Sequence, residues 1–440
     1  MTKTTFKQDL KHIKDKWLLL SISALLAAGL LTFIIVFSRT PFIKDFFIFK
    51  DLFNKALVIH VDLSQLFWFL ALGLCLSFNY LEKLDFIRKF TFKIALASLF
   101  GLILSPFLPS EAILNNYIPV INNLLFFLSL SLYLSIIIIT SITSSFLNRK
   151  YFLRNTSIEK NYILSFNIVI IIAFINFFPA LEFIKQHEIQ AEFYEILFWG
   201  FGHILQYAYV ILMVLGWHLS LRQAKLKISI LDHSLKINLL LYSLIALYSL
   251  VIFTLSTPSI AEFKDFYTAH MIYGSSFLPL IFLFFASSVL CQKKFYSNSK
   301  ENRVLLNCFI GSSLLFVYGG LLGSKITISN TLIPAHYHGS TVAVTISLIA
   351  ITYILLPKFG GKKIDSKLAI WQPIIYATGQ IIHITGLAIS GGYGALRKSP
   401  DSIQGFSANF WMGIMGFGGL ITMLAGLMFL IICYKSIRRT

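Results

Sequence analysis

Residues 333–357 read IPAHYHGSTVAVTISLIAITYILLP, an apolar run that places His336 and His338 two apart near its start. A lipid hydrocarbon core about 30 Å thick takes roughly 20 predominantly apolar residues in a helix, and this run is long enough. Working outward from it, further runs of the same kind cover 17–37, 56–80, 91–108, 123–146, 162–184, 195–221, 237–257, 270–292, 304–324, 368–391 and 406–434. Each span, as a helix, satisfies its own backbone hydrogen bonds, which the lipid core requires. The chain is 57% hydrophobic and 13% charged, whereas a soluble domain carries about 25% charged residues. The expected fold class is all-α: a polytopic membrane protein of about twelve transmembrane helices. It forms a single membrane domain over residues 1–440, with an N-terminal segment 1–16 and a C-terminal tail 435–440.

A net charge of +18 raises the question of nucleic acid, and the placement of the charge answers it. Lys3, Lys7, Lys11, Lys14 and Lys16 precede the first span. Four basic residues then stand in every second loop, as in Lys83, Arg88, Lys89 and Lys93, or Lys358, Lys362, Lys363 and Lys367. Lys435, Arg438 and Arg439 close the chain. The positive-inside rule puts both termini in the cytoplasm, and the alternation requires an even number of spans. The basic excess is a topology signal, with the lipid bilayer as partner and no nucleic acid. Cys75, Cys291, Cys308 and Cys433 lie in or at the ends of spans without a CxxC pair, so no disulfide framework or thiolate metal site is expected.

The ten histidines carry the functional information. His12 and His233 fall in cytoplasmic segments, His187 in an outer loop, and His218 at the inner end of the sixth span. The other six converge on one layer in the outer half of the membrane. His60, His203, His270, His336 and His338 lie in the first turns of spans that enter from the outer side. His383 lies about two turns before the outer end of an outward span. Polar groups at such depth are costly and mark functional sites. A lone buried histidine is usually a hydrogen-bonded core residue, but six at one depth point to a metal or haem layer. Two residues apart on a helix, His336 and His338 point about 200° from each other, so they suit two centres rather than one ion. His60 is a candidate opposite ligand to one of them. His203 and Tyr207 are i and i+4, neighbours on one face, where an interfacial or packing tyrosine is the competing reading.

In order and spacing, these segments resemble subunit I of the haem-copper oxidases. AHYHGSTVAVT (335–345) is similar to that family's tenth helix, and LPKFGGKKIDSKLAIWQ (356–372) to the following turn and the start of the eleventh. HITGLAISGGYGALRK (383–398) is similar to the end of that helix and the loop beyond. ALVIHVDLSQLFWF (56–69) resembles the second helix, and WGFGHILQY (199–207) the sixth. The resemblance implies two haems: a low-spin haem between His60 and His338, and a high-spin haem on His336. It also implies copper B at His203, a redox tyrosine at Tyr207, and haem propionates facing Arg397 and Lys398. Neither a CuA-type cysteine pair nor a CxxCH motif is present. Electrons would therefore come from a partner subunit, cytochrome c or quinol, in a bacterial inner membrane.

One departure bears on the reaction. The family completes its copper site with two adjacent histidines near the outer end of the seventh helix. Here that stretch reads Phe253-Thr254-Leu255-Ser256-Thr257-Pro258-Ser259. His270 is a candidate replacement, since one imidazole alone holds copper weakly. Asp62 is the only carboxylate well inside a span, so no acidic proton path is expected. Three readings follow. One is an oxidase-like enzyme reducing O2 to water, or in a variant reducing nitric oxide. Another is a non-catalytic haem protein that has lost copper B. The last, a transporter with an incidental histidine layer, calls for paired broken half-helices that are not seen.

Overall fold

The computed structural model describes residues 15–41, 52–81, 83–151, 157–190, 192–224, 229–254, 258–290, 299–397 and 405–438. Lys398, His12 and Cys291 lie outside them, as do Leu255, Ser256 and Thr257. Among the described residues, twelve helices are long and apolar enough to cross a membrane. They are α1 (Lys16–Phe37), α2 (Leu52–Tyr80), α3 (Asp85–Phe107), α4 (Leu124–Asn148), α5 (Ile158–Gln186) and α6 (Phe193–Gln223). The chain continues with α7 (Leu235–Ile252), α8 (Ile260–Ser288), α9 (Lys300–Gly323), α10 (Leu332–Lys358), α11 (Lys367–Gly392) and α12 (Phe406–Ile437). Large apolar side chains such as Phe86, Leu124, Phe284 and Phe406 stand exposed on these helices, as a lipid-facing surface requires.

Polar side chains set several helix starts. Asp15 accepts from Trp17 N at 2.9 Å and opens α1. Asn123 accepts from Phe126 N at 2.8 Å and opens α4. At α8, Ser259 and Glu262 form a reciprocal capping box. The helix therefore begins ten residues before the expected span, and His270 closes its third turn instead of opening it. The first turns of α8 carry Glu262, Lys264 and Asp265, which read as loop on hydropathy alone.

The chain divides into two compact units. Unit 1 comprises Met1–Gln65, Gly216–Leu226 and Gln292–Thr440; it holds α1, the first half of α2, the end of α6, and α9–α12. Small residues let its helices meet closely. A side chain on Gly386 would meet Met415 N and Trp411 O on α12, and one on Gly319 would meet the α10 backbone at Gly339 and Ser340. Trp217 is fully buried among α9 residues, its Nε1–H donating to Ser312 Oγ at 2.7 Å. Ser312 in turn donates to Ala343 O at 2.6 Å. Trp217→Ala removes this large side chain and the donor to Ser312 Oγ, which keeps its own bond to Ala343 O. It is expected to cost about 3–5 kcal/mol, read as a lower midpoint in denaturant-induced unfolding in detergent.

Unit 2 comprises Leu66–Leu215 and Lys227–Cys291, the rest of α2, α3–α5, most of α6, α7 and α8. Its α2 carries the end of a π-helical turn, Asp62–Phe67, and the Phe67 carbonyl accepts from Tyr133 OH at 2.9 Å. The two rings stack at 4.0 Å. A second π-helical turn, Met271–Ser275, follows His270 in α8. Between α3 and α4 a short antiparallel hairpin pairs β1 (Ala112–Ile113) with β2 (Val120–Ile121). Asn116 and Tyr117 lie at the tip of that hairpin.

Candidate functional site

The unit 1 histidines share one pattern. His60 Nδ1 lies 3.0 Å from Ala28 O on α1, and His336 Nδ1 lies 2.8 Å from Gly319 O on α9. His383 Nδ1 lies 2.9 Å from Met415 O on α12. A carbonyl only accepts, so each contact assigns the proton to Nδ1 and leaves Nε2 as a lone pair. This is the arrangement by which a second partner orients an imidazole and raises its basicity as a ligand. His338 sits close enough to His60, His383 and Arg39 to interact with all three electrostatically, and its ring centroid is 5.3 Å from that of His383. His336 is placed by α9, where Gly319 and Gly339 bring the two backbones together.

Arg39, just past α1, completes this group and is not singled out by the sequence reading. It is only 9% exposed, its Nη2 donates to Leu396 O at 3.1 Å, and its Nε has no acceptor among the described residues. Burial draws the guanidinium below its usual value. Tyr337 interacts electrostatically with both Arg39 and Arg397. A buried cation with an unused N–H is suited to an anionic or strongly accepting partner. Imidazoles with free Nε2 atoms and a buried guanidinium together make a donor set that fits haem.

Asp62, two residues from His60, is 1% exposed, and neither carboxylate oxygen has a partner among the described residues. Among the described residues, no group of three His, Cys, Asp or Glu side chains is gathered as a metal cage.

Unit 2 differs in kind. His203 is 1% exposed, and its Nδ1–H donates to Trp199 O at 2.7 Å. Its Nε2 accepts from Tyr117 OH at 2.8 Å, with Thr268 Oγ1 at 3.5 Å. Tyr117 comes from the hairpin tip, beside Asn116, which hydrogen-bonds Glu195 through both its backbone and its side chain. Gln206 Nε2 donates to Tyr117 OH at 3.5 Å. Burial pushes the Tyr117 phenol up, so its proton stays in place at ordinary pH. His270 is committed on both sides: Nε2 lies 2.8 Å from Ile245 O, and Nδ1 lies 2.9 Å from Tyr207 OH. The same hydroxyl lies 2.7 Å from His270 O. Tyr207 is fully buried and tilts against Tyr242 at 4.9 Å.

Copper needs deprotonated nitrogens aimed at one point, several to a site. Here the ring nitrogens of His203 and His270 all have hydrogen-bond partners, and these residues do not fit copper as they stand. Sequence reasoning gave no sign of Tyr117, which lies in a short polar loop far from His203 along the chain.

Comparison with known proteins agrees with this architecture. The family described as cytochrome c and quinol oxidase polypeptide I matches residues 13–421. An uncharacterised protein of Rickettsia prowazekii (strain Madrid E) is 31% identical over 506 aligned positions, covering 98% of this chain and 97% of that one. An uncharacterised protein of Aquifex aeolicus (strain VF5) is 27% identical, covering 78% of this chain and 84% of the other. A haem-copper terminal oxidase solved as a dimer by cryo-electron microscopy superposes with a TM-score of 0.65 at 13% identity. It covers 97% of this chain and 85% of that one, a likeness of fold.

Proposed function

Since the chain belongs to the cytochrome c and quinol oxidase polypeptide I family, we propose that it is a membrane oxidoreductase with two haems in unit 1. His60 and His338 would hold one haem from both faces, and His336 a second whose other face stays open. Haem, when bound, supplies one-electron transfer and, at an open iron, a place for O2 or a similar diatomic oxidant. The observation that carries this reading is the shared Nδ1–carbonyl hydrogen bond of His60 and His336.

The protein's own residues do the rest. Ala28 O and Gly319 O lock the two imidazoles in the tautomer that presents Nε2. Arg39 and Arg397 would neutralise propionates, joined by Lys398. Tyr207 would hold a proton on its phenol against His270. The basic loops argue for both termini in the cytoplasm, and the family for a bacterial inner membrane. With O2 reduction to water as the reaction, electrons would come from a partner subunit, cytochrome c or quinol. A second reading is favoured by the occupied nitrogens of His203 and His270: a non-catalytic or nitric-oxide-related haem protein that has lost copper B and does not reduce O2 to water.

The test is a reduced-minus-oxidised spectrum with CO titration on protein purified from membranes. Two haems per chain, one of them CO-reactive, is the expected result. A protein carrying no haem sinks the proposal, while haem without O2 consumption selects the second reading.

A further inference from the structure

We infer that unit 2 carries no copper, and that Tyr117, brought over His203 by the β1–β2 hairpin, takes the coordination position a metal would need. The inference concerns unit 2 alone and does not depend on haem in unit 1.

An imidazole offers one lone pair when neutral. His203 has committed its Nδ1–H to Trp199 O, so Nε2 is the only atom it can give a metal. That atom accepts the Tyr117 O–H at 2.8 Å, an ordinary hydrogen-bond length. His270 has one lone pair, and it is covered. Its Nε2–H faces Ile245 O, which leaves Nδ1 as the acceptor, and the Tyr207 hydroxyl lies over that nitrogen at 2.9 Å while also reaching His270 O at 2.7 Å.

The cap is built into the fold on four sides. Gly202 leaves room for the phenol ring: a side chain there would meet Tyr117 Cβ at 2.7 Å and its ring atoms more closely still. Trp199 packs against that ring edge-on at 5.6 Å, and Lys264 stands 5.4 Å over the Trp199 ring. Trp199 Nε1 in turn donates to Lys264 O at 3.1 Å. Glu195, one turn before Trp199, holds the hairpin tip through Asn116. The hairpin, α6 and the first turns of α8 thus converge to keep one hydroxyl on one nitrogen. His203 has the carbonyl behind Nδ1 that a metal ligand has, as His60 and His336 do in unit 1, and differs from them in the hydroxyl on its Nε2.

The experiment measures copper and iron per chain in intact protein purified from copper-replete cells, followed by Cu(I) competition against bicinchoninate. The wild type is expected to hold copper far below one atom per chain and to take up none from the chelator. Tyr117→Phe deletes the hydroxyl and frees Nε2. It is expected to bind Cu(I) at least about tenfold more tightly than the wild type, the worth of one hydrogen bond to that nitrogen. Gly202→Ala displaces the same ring without altering its chemistry and is expected to show the same gain. It serves where the phenylalanine variant folds poorly. One copper per chain in the wild type overturns the inference. So does a Tyr117→Phe protein that loses copper, since Tyr117 would then be supporting a ligand. Equal inertness of wild type and both variants removes Tyr117 from the account. Iron in the same sample tests the haem reading separately, so failure of either is seen apart from the other.

Discussion

His338→Ala is expected to lower haem from two per chain to one, and the haem that remains should be the CO-reactive one. His338 is the only imidazole on α10 that interacts with His60, and replacing it leaves His60 as a single ligand. Bis-imidazole ligation closes both faces of an iron, while single ligation leaves one open. The variant should therefore lose the sharp reduced-state band of a six-coordinate haem. His336 faces away from His338 by about 200° around the helix, so the haem that it would hold should be untouched. Free imidazole added to the variant together with haem should restore part of the lost band, because the cavity matches the missing ring. Pyridine haemochrome content and the CO-difference spectrum decide the matter. A variant that keeps both haems removes His338 from the ligand set.

Much of this arrangement can be read from the sequence because a bilayer imposes a coarse rule. Runs of about 20 apolar residues locate the twelve helices. The places of His60, His336 and His338 along their helices follow from counting turns. Polar features that act at short range escape that rule. The start of α8 is missed because Ser259 and Glu262 build a capping box whose first turns are charged. Arg39 reads as one basic residue among 37, and only burial beside Tyr337 and Leu396 O sets it apart. His203 and His270 read as ligands because sequence shows a residue type and a depth, not what each nitrogen touches. Tyr117 is 86 residues from His203, and no periodicity or motif links a loop tyrosine to a helix histidine over that span.

The largest effect from a residue that touches no cofactor is expected at Gly319. A methyl group there would lie 2.7 Å from Ser340 N and 2.9 Å from the Gly339 carbonyl carbon, both backbone atoms of α10. Contacts that short cannot persist, and neither partner is a side chain free to rotate away. Gly319→Ala must therefore push α9 and α10 apart. The Gly319 carbonyl is the group that holds His336 Nδ1 at 2.8 Å, so the separation acts directly on the imidazole that would bind the open haem. Losing such an orienting partner typically costs 10–100-fold in metal affinity or activity. The expected phenotype is loss of the CO-reactive haem with the His60–His338 haem retained, the converse of His338→Ala. Gly320 is the control: a methyl group at this neighbouring position meets nothing within 4 Å. Gly320→Ala should thus leave both spectra unchanged and stabilise α9 slightly through its better helix propensity. CO titration of the two alanine variants side by side separates a helix-contact effect from a general intolerance of α9 to substitution. Equal spectra for the two would mean that the Gly319 carbonyl does not position His336.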